Sequence, residues 1–293
     1  MSSRPGPGTK GFELTEAIPS LPESSNRPDQ SDDDSVLVAD DGAVRILTLN
    51  RPAAFNSFNV TLKAALLAAL DEAAADSSVR ALVITGAGRA FCAGQDLKEH
   101  LALVAAHDER VAAAVSGFYN PVVRAVTGMR KPVIAAVNGP AAGAGAGLAF
   151  ACDLRVAAAS ATFSMAFAGV ALSADTGASF VLSRLIGYGR ASRMMLLGEK
   201  VDATEALRIG MIDQVVDDAD LAGAVGGLAT RLAAGPTTAF GWIKASLQHG
   251  AQADLESTLA FEDSAQTACF ASADHREAVA AFVQKRSPRF TGS

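Results

Sequence analysis

Residues 138–153 read NGPAAGAGAGLAFACD, with glycine or alanine at most positions and no ionisable side chain before Asp153. The apolar segment PVIAAVNG (132–139) leads into this stretch and is typical of a buried strand. A helix is predicted to begin within the glycine run. Glycines at a helix start let a ligand approach the backbone closely, so the stretch predicts a site built from main-chain groups.

A second glycine stretch, TGAGRAFCAGQDLKE (85–99), follows the predicted strand ALVITG (81–86). Two strand ends that each lead into a glycine-rich turn and a helix can direct two backbone N–H groups at one point. That arrangement is an oxyanion hole, which polarises a carbonyl and stabilises an enolate or a tetrahedral adduct without a charged side chain.

Other ligands fit the sequence less well. The glycines at 143, 145 and 147 follow a late strand with the spacing G-x-G-x-G, which differs from the dinucleotide fingerprint, and no Walker lysine is present. His100 and His107 could share a helix face, but solvent exposure explains them better than a metal site. No metal ligand set is predicted.

Strands alternate with helices along the first two thirds of the chain, which predicts an α/β fold with parallel pairing and crossover connections. Beyond Asp220 the pattern is helical, with turn signals at 234–236 and at Gly250. We predict a disordered leader over 1–34, an α/β core over 35–230 and a helical C-terminal region over 231–293. The predicted strands are 44–50, 81–86, 132–139, 154–158 and 212–216, and the predicted helical regions are 60–76, 97–128, the glycine run and 177–197.

Charge and composition exclude several classes of function. The net charge of −6 argues against a nucleic-acid partner. The predicted leader has three basic and seven acidic residues and so carries four of these charges, which leaves the rest of the chain nearly neutral. The uncharged stretches 132–152 and 156–174 contain glycines or hydroxyl residues, so buried strand–turn–helix units are preferred to membrane spans. Three widely spaced cysteines and the lack of a signal peptide predict a cytoplasmic protein.

The motifs GAGRAFCAGQDL, KPVIAAVNGPAAGAGAG, ATFSMAF and REAVAAFVQKRSPRF closely resemble the enoyl-CoA hydratase/isomerase (crotonase) family, from about Val36 to the C-terminus. FYNPVVRAV, GQDL and KRSPRFTG are most similar to the branch that isomerises ring-1,2-epoxyphenylacetyl-CoA in phenylacetate breakdown. The resemblance implies a ClpP/crotonase-like spiral of ββα units with a helical extension. It also implies homotrimers or hexamers made of two trimers, and a coenzyme A thioester as substrate with no separate cofactor.

Matching to the family places the two oxyanion N–H groups on Gln95 and Ala144. Gly143 then lets the thioester come close, and the Gln95 side chain is expected to be structural. The two glutamates that activate water in family hydratases correspond to Gly147 and Phe167, neither of which can transfer a proton. The resemblance therefore implies that hydration is feeble or absent.

One acid lies in the matching region, within GVALSADTGASF. The resemblance implies that Asp175 removes or relays the proton of an isomerisation, whereas the alternative is that it only caps a helix. Related haloaryl dehalogenases carry a histidine base where this chain has Asn120, so hydrolytic dehalogenation is disfavoured.

The resemblance also implies substrate contacts. Tyr119 and Asn120 are expected to line the acyl pocket. The C-terminal Phe282, Lys285 and Arg286 are expected to approach the nucleotide phosphates across a subunit boundary, although they could simply form a charged helix end. The remaining coenzyme A contacts correspond to Phe55, Ser57, Ala93, Asp96 and Leu97.

Three functions stay open from the sequence. The first is an acyl-CoA isomerase, preferably of the ring-epoxide type. The second is an enoyl-CoA hydratase or a Δ3,Δ2-enoyl-CoA isomerase of fatty-acid β-oxidation that uses other groups. The third is a non-catalytic subunit that binds coenzyme A and scaffolds a complex.

Overall fold

The computed structural model describes residues 35–293, so the predicted leader lies outside the described residues. Its strands form a six-stranded sheet of order β1-β2-β3-β4-β6-β9 and a three-stranded sheet of order β5-β7-β8. The strands are β1 Val36–Asp41, β2 Val44–Leu49, β3 Ala81–Gly86, β4 Val133–Val137, β5 Ala141–Ala142, β6 Leu154–Ala158, β7 Thr162–Ser164, β8 Lys200–Asp202 and β9 Gln214–Val216.

The large sheet is parallel except at one edge, where β1 and β2 form an antiparallel hairpin. Helices cross over between its parallel strands, as the alternation in the sequence predicts. The helices are α1 Val60–Ala75, α2 Leu97–Ala105, α3 Arg110–Ala114, α4 Asn120–Gly128, α5 Ala144–Ala151, α6 Ala178–Ile186, α7 Tyr188–Leu197, α8 Ala203–Arg208, α9 Leu221–Ala233, α10 Thr237–Gly250, α11 Leu255–Phe270 and α12 Ala273–Val283.

Side chains of the central strands alternate between two apolar cores. On β3, Leu82 and Ile84 enter a large core with α1, α4 and α5, whereas Ala81 and Val83 face a smaller core with α9. This alternation follows from the two-residue repeat of a strand. Because both faces of the sheet are covered, β4 is apolar throughout and β3 is apolar over 81–84, before Thr85.

The uncharged stretch 132–152 forms β4, β5 and α5, the strand–turn–helix that the sequence predicts. All eight residues of α5 are buried, because the helix lies inside the large core. The stretch 156–174 likewise contains the end of β6 and all of β7. Over residues 35–293, no helix is long and apolar enough to cross a membrane.

The predicted helical region 97–128 is divided into α2, α3, a π-helical turn at Val115–Tyr119 and α4. The predicted strands and the other predicted helical regions are confirmed within a few residues. The elements that the sequence pattern does not predict are β1, β5, β7, β8 and α8.

The C-terminal region is attached to the α/β core by buried polar groups. The Lys244 ammonium on α10 lies 2.7 Å from the Asp153 carboxylate at the start of β6. Arg80 donates to the carbonyl oxygens of Gly235 and Phe290, at 2.5 and 3.0 Å. The helix that spans the predicted boundary at 230 continues to Ala233, and the division into core and C-terminal region stays a prediction.

Candidate active site

The loop after β3 runs against the segment that leads into α5. The N–H of Ala142 donates to the Cys92 carbonyl at 2.9 Å, and a β-bridge joins Cys92 to Ala141. Gly94 has φ +87°, and a methyl group at this position would lie 2.8 Å from the Ala142 oxygen and 3.5 Å from the Ala144 nitrogen. Glycine is therefore required here, because the two main chains approach closely.

Pairing with Phe58 sets the direction of the Gln95 main chain. The Phe58 N–H donates to the Gly94 carbonyl at 2.7 Å, and the Asp96 N–H donates to the Phe58 carbonyl at 3.1 Å. Because successive residues of an extended segment direct their N–H groups to opposite sides, the Gln95 N–H faces away from Phe58. No acceptor for it exists within residues 35–293. It is an available donor.

The second available donor lies at the start of α5. Gly143 is the N-cap with φ 50° and ψ −124°, a conformation suited to glycine, and no side chain caps this helix end. Its own N–H donates to the Ser164 carbonyl at 2.9 Å, which attaches the turn to β7. Ala144 is the first helical residue, and its N–H has no acceptor in the described part of the chain. An oxyanion there would also interact favourably with the helix dipole.

Asp175 lies next to α5, held there by the residue that follows it. The Thr176 hydroxyl donates to the Asp175 carboxylate. The Thr176 side chain is 1% exposed and packs against Gly147, where an added methyl group would lie 2.7 Å from the Thr176 Cβ. Gly147 is three residues after Ala144 and so lies on the same face of α5. The acid and the oxyanion donor therefore share one side of the helix.

The surroundings of Asp175 raise its pKa above the ordinary value. Burial raises the pKa of this half-buried carboxyl, while the hydrogen bond from Thr176 and the charge of Lys63 partly oppose the rise. The helix that follows is α6, whose N-cap is Gly177 with no side-chain cap. The Asp175 side chain therefore does not cap α6, contrary to the capping alternative, and its catalytic role stays a prediction.

Apolar and aromatic groups surround the donors. The Phe167 ring lies 3.9 Å from where a methyl group on Gly143 would sit, and its side chain is 8% exposed. Met165 is fully buried nearby in sequence. Tyr119 is buried and its hydroxyl donates to Gln95 Oε1 at 2.5 Å, whereas Asn120 is half-buried at the start of α4. The Gln95 side chain is thus engaged inside the protein, as expected for a structural role.

The coenzyme A contacts implied by the resemblance form one strip of two adjoining segments. The Ala93 N–H donates to the Phe55 carbonyl at 3.0 Å, and Arg51 bridges the segments by donating to the Ser57 carbonyl at 2.6 Å and to Asp96 at 2.9 Å. The Asp96 carboxylate also caps α2. Burial alone would raise its pKa, but the hydrogen bonds from Arg51 and from the α2 backbone lower it. Its side chain is occupied structurally.

The C-terminal residues implied for phosphate binding lie elsewhere on the surface of the chain. Phe282 is 85% exposed, and Lys285 follows the end of α12 with φ 53°. Arg286 pairs with Glu277 at 2.6 Å. Within the single described chain no contact joins these residues to Gln95, so their predicted role across a subunit boundary stays a prediction.

Three residues that sequence reasoning did not single out belong to this site. Lys63 donates to Gln95 Oε1 at 2.7 Å, and Thr176 holds Asp175. The Arg89 guanidinium lies 4.4 Å from the centre of the Phe55 ring, at the exposed end of the strip. Only Arg89 could have been found from the sequence, because it lies inside the GAGRAF motif. Lys63 lies in an ordinary helical pattern and Thr176 in a loop, and neither pattern distinguishes a site residue.

Comparison with known proteins bears on the family and the fold of this chain. The family model for enoyl-CoA hydratase/isomerase matches residues 40–293. The chain belongs to the enoyl-CoA hydratase/isomerase family. The 1,2-epoxyphenylacetyl-CoA isomerase of Escherichia coli is 45% identical over 85% of this chain and 95% of its own length. A "Probable enoyl-CoA hydratase" of Rhodobacter capsulatus is 42% identical over 84% of this chain and 94% of its own length.

A solved family structure also matches the whole fold. The crystal structure of an enoyl-CoA hydratase from Bacillus anthracis superposes with a TM-score of 0.83 at 33% identity. The match covers 88% of this chain and 100% of that one. The enoyl-CoA hydratase/isomerase fold, with its mixed α/β core and helical C-terminal region, is thus established for this chain, and acyl-CoA thioesters are the substrates of the family.

Proposed function

We propose that this enzyme is an acyl-CoA isomerase that acts on ring-1,2-epoxyphenylacetyl-CoA or a closely related thioester. The observation that supports this most is the position of Asp175. It lies beside α5, on the side of the helix where the first residue, Ala144, has an available N–H group. Similarity to the Escherichia coli isomerase supports the same substrate class. Gly147 and Phe167, at the positions implied for the hydratase glutamates, supply no second acid or base.

The proposed mechanism begins with the thioester carbonyl between the Gln95 and Ala144 N–H groups. These two donors stabilise negative charge on the oxygen and so acidify the neighbouring carbon. Asp175 then removes or relays a proton and can return it to the same substrate, so that one carboxylate suffices. In a ring epoxide this assists rearrangement to the seven-membered oxepin thioester. An oxyanion donor contributes about 3–4 kcal/mol to such a transition state.

A second candidate is suggested by similarity to the Rhodobacter capsulatus protein. In a 3-enoyl-CoA the same groups would move the double bond into conjugation, and in an enoyl-CoA hydratase they would add water. Hydration needs a group that activates water in addition to the oxyanion hole. Thr176 fills the space beside Gly147, so a glutamate at that position would have to displace it. Isomerisation is therefore preferred.

An activity panel with Asp175→Asn tests the proposal. Wild-type enzyme is compared on ring-epoxidised phenylacetyl-CoA, 3-enoyl-CoAs and crotonyl-CoA, with thioester binding measured by calorimetry. We expect the fastest turnover on the ring epoxide, and Asp175→Asn to lower kcat by about 10²–10⁴-fold with binding retained. Rapid hydration of crotonyl-CoA would contradict the proposal. Thioester binding with no turnover of any substrate would instead favour the scaffold hypothesis.

We further propose that the enzyme is a cytoplasmic homotrimer or a dimer of trimers. Apolar side chains on α10–α12 are exposed in the single chain, and a cavity of about 530 Å³ lies among these helices. Burial of such a surface by another copy would stabilise the assembly. Cys92, Cys152 and Cys269 are all free thiols, which is compatible with a reducing compartment.

A further inference from the structure

Lys63 is a buried cation next to the candidate active site. It lies on α1 between buried leucines, and its side chain is 8% exposed. Its ammonium donates to Gln95 Oε1 at 2.7 Å and lies 5.0 Å from the centre of the Tyr119 ring. Among the described residues, no carboxylate forms a direct ion pair with it. A buried charge without a direct counter-ion is costly, so a purely structural role is a weak explanation.

The Lys63 contact fixes the residue that carries the first oxyanion donor. Gln95 Oε1 accepts hydrogen bonds from both Lys63 and the Tyr119 hydroxyl. Two donors from different elements, α1 and the π-helical turn, hold the side-chain amide in one orientation. Pairing with Phe58 sets the direction of the Gln95 main chain, and these bonds hold its side chain, so the residue that carries the N–H is attached at both its main chain and its side chain.

The charge of Lys63 also acts on the site. Burial lowers the pKa of Lys63, and the negative charges of Glu99 on α2, Asp175 before α6 and Asp96 at the α2 N-cap oppose this lowering. Glu99 accepts from the Val60 N–H, and Asp96 accepts from Arg51. Asp175 has only the Thr176 hydroxyl as its side-chain donor in the described chain, and the positive charge of Lys63 adds to that hydrogen bond in opposing the rise of the Asp175 pKa.

We propose that Lys63 is a positioning residue of this active site, which orients the Gln95 main chain and provides the positive charge that balances Asp175 and the developing enolate. The proposal rests on the proposed function of Gln95 and Asp175. It assigns two roles to one side chain, and the two roles respond differently to substitution. Removal of the ammonium abolishes both, removal of the Tyr119 hydroxyl weakens only the orientation, and arginine retains the charge.

The test compares Lys63→Met, Lys63→Arg and Tyr119→Phe with Lys200→Met, which removes an exposed lysine on β8. Loss of the positive charge disfavours ionisation of Asp175 and so raises its pKa. We expect Lys63→Met to lower kcat/KM about 10–100-fold and to move the acidic limb of the pH profile up by about 0.5–1 unit. We expect Lys63→Arg and Tyr119→Phe to keep the acidic limb at its wild-type pH. Lys200→Met should change neither kcat/KM nor the position of the limb.

Two spectroscopic measurements make the outcome independent of the reaction. The infrared carbonyl stretch of a bound thioester reports its polarisation, and we expect a smaller red shift in Lys63→Met and Tyr119→Phe. Carbon-13 NMR titration reports the Asp175 pKa even if no substrate is turned over, which separates failure of this inference from failure of the proposed function. A folded Lys63→Met variant with an unchanged Asp175 pKa and an unchanged carbonyl stretch would overturn the inference. If that variant does not fold, the carbonyl stretch of Tyr119→Phe decides the orienting role, and Asp175 titration in Lys63→Arg decides the charge role.

Discussion

The α/β core and the C-terminal helices bury their apolar side chains to very different extents. In the core, Leu47, Leu62 and Leu66 are completely buried, and so is the helix that carries the Ala144 donor. In α10–α12, Leu247 is 71% exposed and Phe282 is 85% exposed. The centre of the core thus packs within one chain, although α7 also exposes Tyr188 and Leu196, at 82% and 74%. The C-terminal helices present a surface that a second copy can bury, and the candidate site lies in the α/β core.

The close contact between α5 and the loop after β3 gives the largest expected effect of a single substitution on stability. A methyl group on Gly145 would lie 2.2 Å from the Cys92 carbonyl oxygen, so Gly145→Ala must push the oxyanion loop away from α5. We expect the free energy of unfolding to fall by about 3 kcal/mol. Urea denaturation followed by circular dichroism measures the loss.

Gly226→Ala on α9 is the matched control, because nothing lies within 4 Å of a methyl group there. The same substitution in an exposed helix should raise the free energy of unfolding by about 0.5–1 kcal/mol. Equal effects at the two positions would show that the close approach at Gly145 is not needed for stability.

Charge on the exposed C-terminal face should break the assembly without unfolding the core. Phe282→Asp replaces a large apolar side chain that we expect a partner to bury, and the lost burial costs about 1.5–3 kcal/mol per side chain. Light scattering after size exclusion should show smaller species, and the emission of Trp242, the single tryptophan, should report the change because it lines the cavity among α10–α12.

Leu37→Asp on β1 provides the comparison, since Leu37 is 44% exposed but lies outside the C-terminal region. It should leave the particle size unchanged. A Phe282→Asp variant that keeps its full size would mean that this face is not the interface.

The smallest expected effect concerns the hydrogen bond to Asp175. Thr176→Val keeps the branched shape but removes the hydroxyl that stabilises the carboxylate, so the Asp175 pKa rises further. The acidic limb of the kcat/KM profile should move up by about 0.5 unit. Thr176→Ser retains a hydroxyl and should keep the limb near its wild-type position. A limb that does not move in Thr176→Val would mean that this hydrogen bond does not tune the acid.

Much of the fold could be predicted because buried strands and helices leave regular apolar patterns. The first four residues of β3 are all apolar because both faces of the strand are covered, and α1 and α9 repeat apolar residues at helical spacing. β5, β7 and β8 were not predictable in this way. They contain two or three residues each and exist because distant segments pair with them, as Ala141 does with Phe163.

From the sequence, two glycine-rich turns after strands predict a site of main-chain donors, and the resemblance to the family implies Gln95, Ala144 and Asp175 as its residues. Tertiary structure alone placed Lys63 against Gln95 and Thr176 against Gly147. A lysine on a helix has the same local signal whether it faces solvent or the interior. Its direction depends on how α1 packs against the loop after β3, and that packing is a property of the folded chain.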